Sequence, residues 1–134
     1  MEVGAVCPRL RPVDLESLVD QQRQKTAETW SVLLDHGLRE GSPLDVETFF
    51  FADDEAAAVS LVEALAAEGT TATTESFQAK AGLFRKKTVW AVQADSALPV
   101  ASLAVLADLT EAMVRQAARA GAVYDGWGAQ IPES

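Results

Sequence analysis

Side chains able to make or break bonds are scarce in this sequence. It holds one histidine, His36, and one cysteine, Cys7. Nucleophilic catalysis of the Ser-His-Asp or Cys-His kind needs a base placed beside the nucleophile. His36 falls in the last turn of a predicted helix, where the helix end alone favours a polar or cationic residue. Cys7 falls in a loose leader, and a reactive thiol needs an electropositive pocket. One His and one Cys cannot supply a zinc site. Asp53-Asp54-Glu55 has the oxygens a hard cation wants, but neighbours on a helix point in different directions, and helix capping accounts for them. Two distant carboxylates could act together as acid and base, yet nothing in the sequence singles out such a pair. There is no P-loop or dinucleotide fingerprint, and Gly126-Trp127-Gly128 is too short to cradle a phosphate. The expectation is a protein without catalytic residues, metal or cofactor.

The charge pattern points instead to recognition. Net charge is −9, which disfavours direct nucleic-acid binding because that relies on Lys and Arg neutralising phosphates. It favours attraction to basic surfaces. From Asp45 to Glu75 there are eight acids and no base, whereas Lys80, Arg85, Lys86 and Lys87 form a basic cluster. That cluster reads as a solvated hairpin tip guarding an edge strand. Two glycines in Tyr124-Asp125-Gly126-Trp127-Gly128 suggest a bulge or the close approach of another backbone. Tyr124 and Trp127 are of the type that anchors interfaces, or that closes the core of a last strand.

These residues need elements to hold them. With 134 residues, 49% of them hydrophobic, the chain has the size and composition of one folded domain that needs no disulfide. Residues 1–13, with Pro8 and Pro12, read as a loose leader, and 14–134 as the domain. A helix is expected over 14–38, with Leu15, Leu18, Val19, Trp30, Leu33 and Leu34 at helical spacing around a polar centre at Gln22 and Thr26. A strand follows at 44–52, where Phe49-Phe50-Phe51 fills both faces. Asp53 is the expected cap of a helix to about Glu68, with Val59, Val62, Leu65 and Ala66 inward. A Thr-rich strand spans 70–79, Ala81-Gly82 makes a hairpin turn, and a hydrophobic strand spans 87–95. Pro99 suits the first turn of a helix to Ala120, with Leu103, Leu106, Leu109, Met113 and Ala117 as core, and a short strand closes the chain from about Val123 to Gln130. Helix, then β-α-β-β-α-β, is the pattern of an antiparallel ferredoxin-like α+β fold with an extra N-terminal helix. In that fold the first and third strands are central, and here they are the apolar ones.

Tyr124-Asp125-Gly126-Trp127 after a long helix resembles the closing motif of the RraB family, protein inhibitors of ribonuclease E. Phe51-Ala52-Asp53-Asp54 before a helix resembles that family's first strand-to-helix turn, and Asp20, Gln21, Gln22 and Arg23 sit in the matching leading helix. The resemblance covers roughly residues 14–130. It implies a non-catalytic domain that binds ribonuclease E, at a region rich in basic residues, and modulates RNA decay.

The candidate partner-binding residues are Asp45, Glu47, Asp53, Asp54, Glu55, Tyr124, Asp125 and Trp127. The expected partner is a protein, ribonuclease E or a related basic protein, with no direct nucleic acid. The alternatives are a module for another protein or for a second copy as a homodimer, and a small enzyme or metabolite sensor. The last needs a deep pocket with perturbed carboxylates. No apolar run approaches the roughly 20 residues that span a bilayer, and Met1-Glu2-Val3 does not open a secretory signal, so a cytoplasmic protein is expected.

Overall fold

A computed structural model describes residues 12–80 and 86–129. The element order is α1 (Pro12–Asp35), β1 (Leu44–Ala52), α2 (Glu55–Ala67), β2 (Thr71–Lys80), β3 (Lys86–Leu98), α3 (Leu103–Ala120) and β4 (Val123–Ala129). The strands form one sheet in the order β2-β3-β1-β4, and all three pairings are antiparallel. This is the ferredoxin-like α+β arrangement, with β1 and β3 central. The Thr-rich β2 lies at an edge, where one half of its backbone is not needed for pairing.

Alternation along β1 sorts its side chains. Leu44, Val46, Thr48, Phe50 and Ala52 are buried on one face. Opposite them on β3 stand Val92 and Ala94, in register with Phe50 and Thr48. Against this face pack Ala57, Ala58, Leu61 and Leu65 of α2 and Met113, Val114 and Ala117 of α3. α1 joins the same side. Its Val19 belongs to that cluster, and its Trp30 packs with Leu44, Val46 and Leu106 in a second one. Two ion pairs stitch α1 to α3, Arg23 with Glu111 at 3.0 Å and Glu16 with Arg115 at 2.8 Å, and Arg115 also pairs with Glu111 along its own helix.

Several local expectations are corrected. Asp54, not Asp53, caps α2: its carboxylate accepts from the Ala57 N–H at 2.7 Å. Asp53 turns aside to pair with Lys87 at 2.6 Å. On α2 the inward residues are Ala57, Ala58, Leu61 and Leu65, while Val59 is exposed. β3 runs on to Leu98, so Pro99 lies between elements and Ser102 caps α3, accepting from the Val105 N–H at 3.2 Å. Leu103 and Leu34 are exposed, not core. Gly121 ends α3 in a left-handed turn, φ +85°, which costs glycine nothing. α1 begins at Pro12, inside the segment expected to be a leader. Cys7 and the Ala81-Gly82 turn lie outside the described residues.

Candidate functional site

The sheet has a second face, and among the described residues nothing covers it. The leading helix could have done so, but α1 packs beside α3 on the other side. The cross-strand registers map this open face as rows running β4-β1-β3-β2. One row is Gly128, Glu47, Asp95, Thr71. The next is Gly126, Phe49, Gln93, Thr73. The third is Val123, Phe51, Ala91, Glu75. Asp45 extends the first row's acidic end along β1, and Phe77 lies beyond Glu75 along β2. Phe51 and Phe77 meet edge to face with centroids 6.1 Å apart. The face thus combines an aromatic stripe with the carboxylates of Asp45, Glu47, Glu75, Asp95 and Asp125. Lys87, already paired with Asp53, is the base on this face among the described residues.

A β-bulge shapes the β4 side. Phe49 pairs with Gly126 and Phe50 with Tyr124, which leaves Asp125 as the extra residue. Gly126 takes φ +151°, a conformation that side chains resist. The bulge lets both rings of the motif face inward. Tyr124 is buried against Phe50, edge to face at 5.7 Å. Trp127 packs against both core clusters and donates its indole N–H to Thr26 Oγ1 at 2.9 Å. Asp125, in contrast, lines a shallow groove of about 170 Å³ on the open face with Phe49, Phe51, Thr73, Glu75 and Gln93. The groove is an open furrow, not the deep pocket of an enzyme or sensor.

The candidate residues therefore separate. Asp45, Glu47 and Asp125 share the open face. Asp53, Asp54 and Glu55 cluster at the start of α2, where Asp54 and Asp53 have the structural partners described above. Tyr124 and Trp127 belong to the core side. The open face also contains residues that sequence reading passed over: Asp95, Gln93, Glu75 and Phe77. Period-two alternation places Glu75 and Phe77 on one side of β2, but which side is the open one depends on pairing with β3.

Two polar features lie elsewhere. Trp127 N–H, Thr26 and Thr110 form a buried chain, with Thr26 Oγ1 and Thr110 Oγ1 2.6 Å apart and Thr110 donating to Leu106 O at 2.8 Å. α1 is only partly buried, and of its polar centre Gln22 stays half-exposed while Thr26 is enclosed, at 1% exposure. Burial pushes the Tyr124 phenol well above its ordinary pKa. A nearby Thr110 hydroxyl offsets part of that rise, and Asp125 adds to it. His36 Nδ1 lies 2.9 Å from Val32 O, a local bond at the end of α1. No group of three or more His, Cys, Asp or Glu among the described residues could hold a metal, and no described helix is long and apolar enough to cross a membrane.

The chain is thus an antiparallel ferredoxin-like α+β domain with one helical side and, among the described residues, one open side that is acidic and aromatic. The sequence profile of the RraB family, described as "Regulator of ribonuclease activity B", matches residues 23–129. The chain belongs to that family. The name denotes a regulator of a ribonuclease activity. None of the curated proteins compared matches the chain.

Proposed function

We propose that this protein is a non-catalytic regulator that binds a ribonuclease, in the manner of the ribonuclease E inhibitors its sequence resembles, and so modulates RNA decay in the cytoplasm. The observation that carries the reading is the family match over residues 23–129, joined to a sheet face that no described residue covers and that holds the carboxylates of Asp45, Glu47, Glu75, Asp95 and Asp125. A face of that charge attracts a basic protein surface and repels a phosphate backbone. It also repels its own copy, which sets the homodimer behind a heterologous complex. Partner contact is assigned to Asp45, Glu47 and Asp125, with Asp53, Asp54 and Glu55 as a flanking acidic rim.

The test is co-purification of the full chain with ribonuclease E at low salt. The complex is expected to form and to weaken as salt rises, because exposed charges are screened. Absence of the ribonuclease from the captured material at low salt would refute the assignment.

A further inference from the structure

We propose that the open face binds an extended, arginine-bearing segment of its protein partner and seats one arginine side chain in the corner formed by Glu47, Asp95 and Phe49. This rests on the reading of the chain as a protein-binding regulator and specifies the chemistry of what it binds.

The first observation is a pair of like charges. Glu47 and Asp95 stand directly opposite across β1 and β3, on the open face. Such pairs have Cβ atoms about 5 Å apart, and facing like charges destabilise a sheet. Gln93 lies between them, its amide nitrogen 2.7 Å from Glu47 and 3.5 Å from Asp95. That neutral donor orients the two carboxylates, and among the described residues no base is paired with either. The described base on this face, Lys87, sits several rows away and is held by Asp53. Within the described fold the pair accepts only from the neutral Gln93 amide, whereas a cation from outside would gain both carboxylates as charged partners.

The second observation is bare floor beside the pair. Gly128 stands opposite Glu47, and Gly126 opposite Phe49. Both are on the open face, so β4 presents no side chain there. A Cβ added at Gly128 would rest 4.0 Å from the Phe49 ring, and one at Gly126 would meet nothing within 4 Å. Glycines at this spacing let a foreign backbone come close. The bulge places Asp125 on the neighbouring groove of the open face, which Phe49 and Gln93 also line.

The third step is chemical. A guanidinium is planar and weakly hydrated, stacks on an aromatic ring, and has a fork of donors that can bridge two carboxylates. Lysine's compact, strongly hydrated ammonium does this less well. Phe49 supplies the ring, and Glu47 and Asp95 supply the oxygens. A second copy of this chain would bring its own carboxylates to the same place, and nucleic acid its phosphates.

The experiment measures binding of two labelled peptides to the full chain at low salt. They are identical except that one carries arginines where the other carries lysines. The arginine peptide is expected to bind about tenfold more tightly. Glu47→Gln and Asp95→Asn should each weaken it by about tenfold. Gly128→Val places a side chain on the floor where strand conformation tolerates one, and should weaken it too while the protein still melts cooperatively. Equal affinity for the two peptides, or undiminished binding by all three variants, overturns the proposal. So does a melting temperature raised by magnesium or calcium in the wild type and not in Asp95→Asn, which would mark a metal site. A dimer dissolved by Gly128→Val would put a second copy on the face and overturn it as well. Capture of the ribonuclease by Asp95→Asn and Glu47→Gln as efficiently as by the wild type removes the arginine corner and leaves the regulator standing. Arginine-selective binding without capture of the ribonuclease does the reverse.

Discussion

Replacing Thr26 by valine tests how the leading helix is fastened to the strand that carries the glycine motif. Thr110 donates its proton to Leu106 O. Thr26 must then donate to Thr110, and its oxygen is left to accept from the Trp127 indole. The chain therefore has one direction, from Trp127 through Thr26 and Thr110 to the α3 backbone. Valine matches threonine in shape, so Thr26→Val opens no cavity. It leaves the indole N–H without an acceptor beside a residue that is 1% exposed. A buried donor left unpaired costs about 1–3 kcal/mol, and a partly buried indole belongs near the middle, about 2 kcal/mol. Urea unfolding followed by far-ultraviolet circular dichroism reads this as a lower midpoint at unchanged slope. Thr26→Ser keeps the chain and loses one methyl, which should cost about 1 kcal/mol. In a double-mutant cycle, Trp127→Phe should cost less in the Thr26→Val background than alone, because the shared bond is already gone. A Thr26→Val protein within about 0.5 kcal/mol of the wild type, or a cycle showing no coupling, would refute the hydrogen-bond chain as the fastening.

Three further outcomes are expected. Asp95→Asn should stabilise the free protein by about 0.2–1 kcal/mol at low salt by relieving its repulsion with Glu47. The gain should vanish at high salt and should not be repeated by adding Glu47→Gln, as thermal melts would show. Gly126→Ala should cost about 1–3 kcal/mol because alanine resists φ +151°, whereas Gly128→Ala should cost little, both read by chemical denaturation. Tyr124 is the single tyrosine, so phenolate absorbance reports it alone. Its pKa is raised in the folded state by burial, whereas the unfolded phenol ionises near pH 10. Stability is therefore intact below about pH 10 and falls as pH rises beyond it. Phenolate should appear together with loss of circular dichroism, and Tyr124→Phe should flatten that alkaline limb.

Alternation and helical periodicity read from the sequence place the strands and helices and their order, because those patterns record which side of each element meets water. Phe49-Phe50-Phe51 marks a strand with large side chains on both faces, and the Thr-rich stretch marks an edge. The phase of α2 escaped the same reading. A helix of alanines and valines is apolar nearly all round, so Val59 and Ala57 look equivalent until the sheet selects Ala57. The start of α3 escaped because strand pairing with β1 extends β3 to Leu98, directly up to Pro99, so the helix cannot start there and Ser102 takes the cap.

By itself, then, the sequence determined the α+β order, the acidity, the glycine bulge near the end and the family. The tertiary structure alone decided which carboxylates share a face. Glu47 and Asp95 lie far apart along the chain and meet only through the β1-β3 register. Likewise, Thr26 becomes the most enclosed part of α1 only when Thr110 and Trp127 arrive from α3 and β4. Local preference is written in neighbouring residues, but register and packing partners are set by contacts between segments that the chain must fold to bring together.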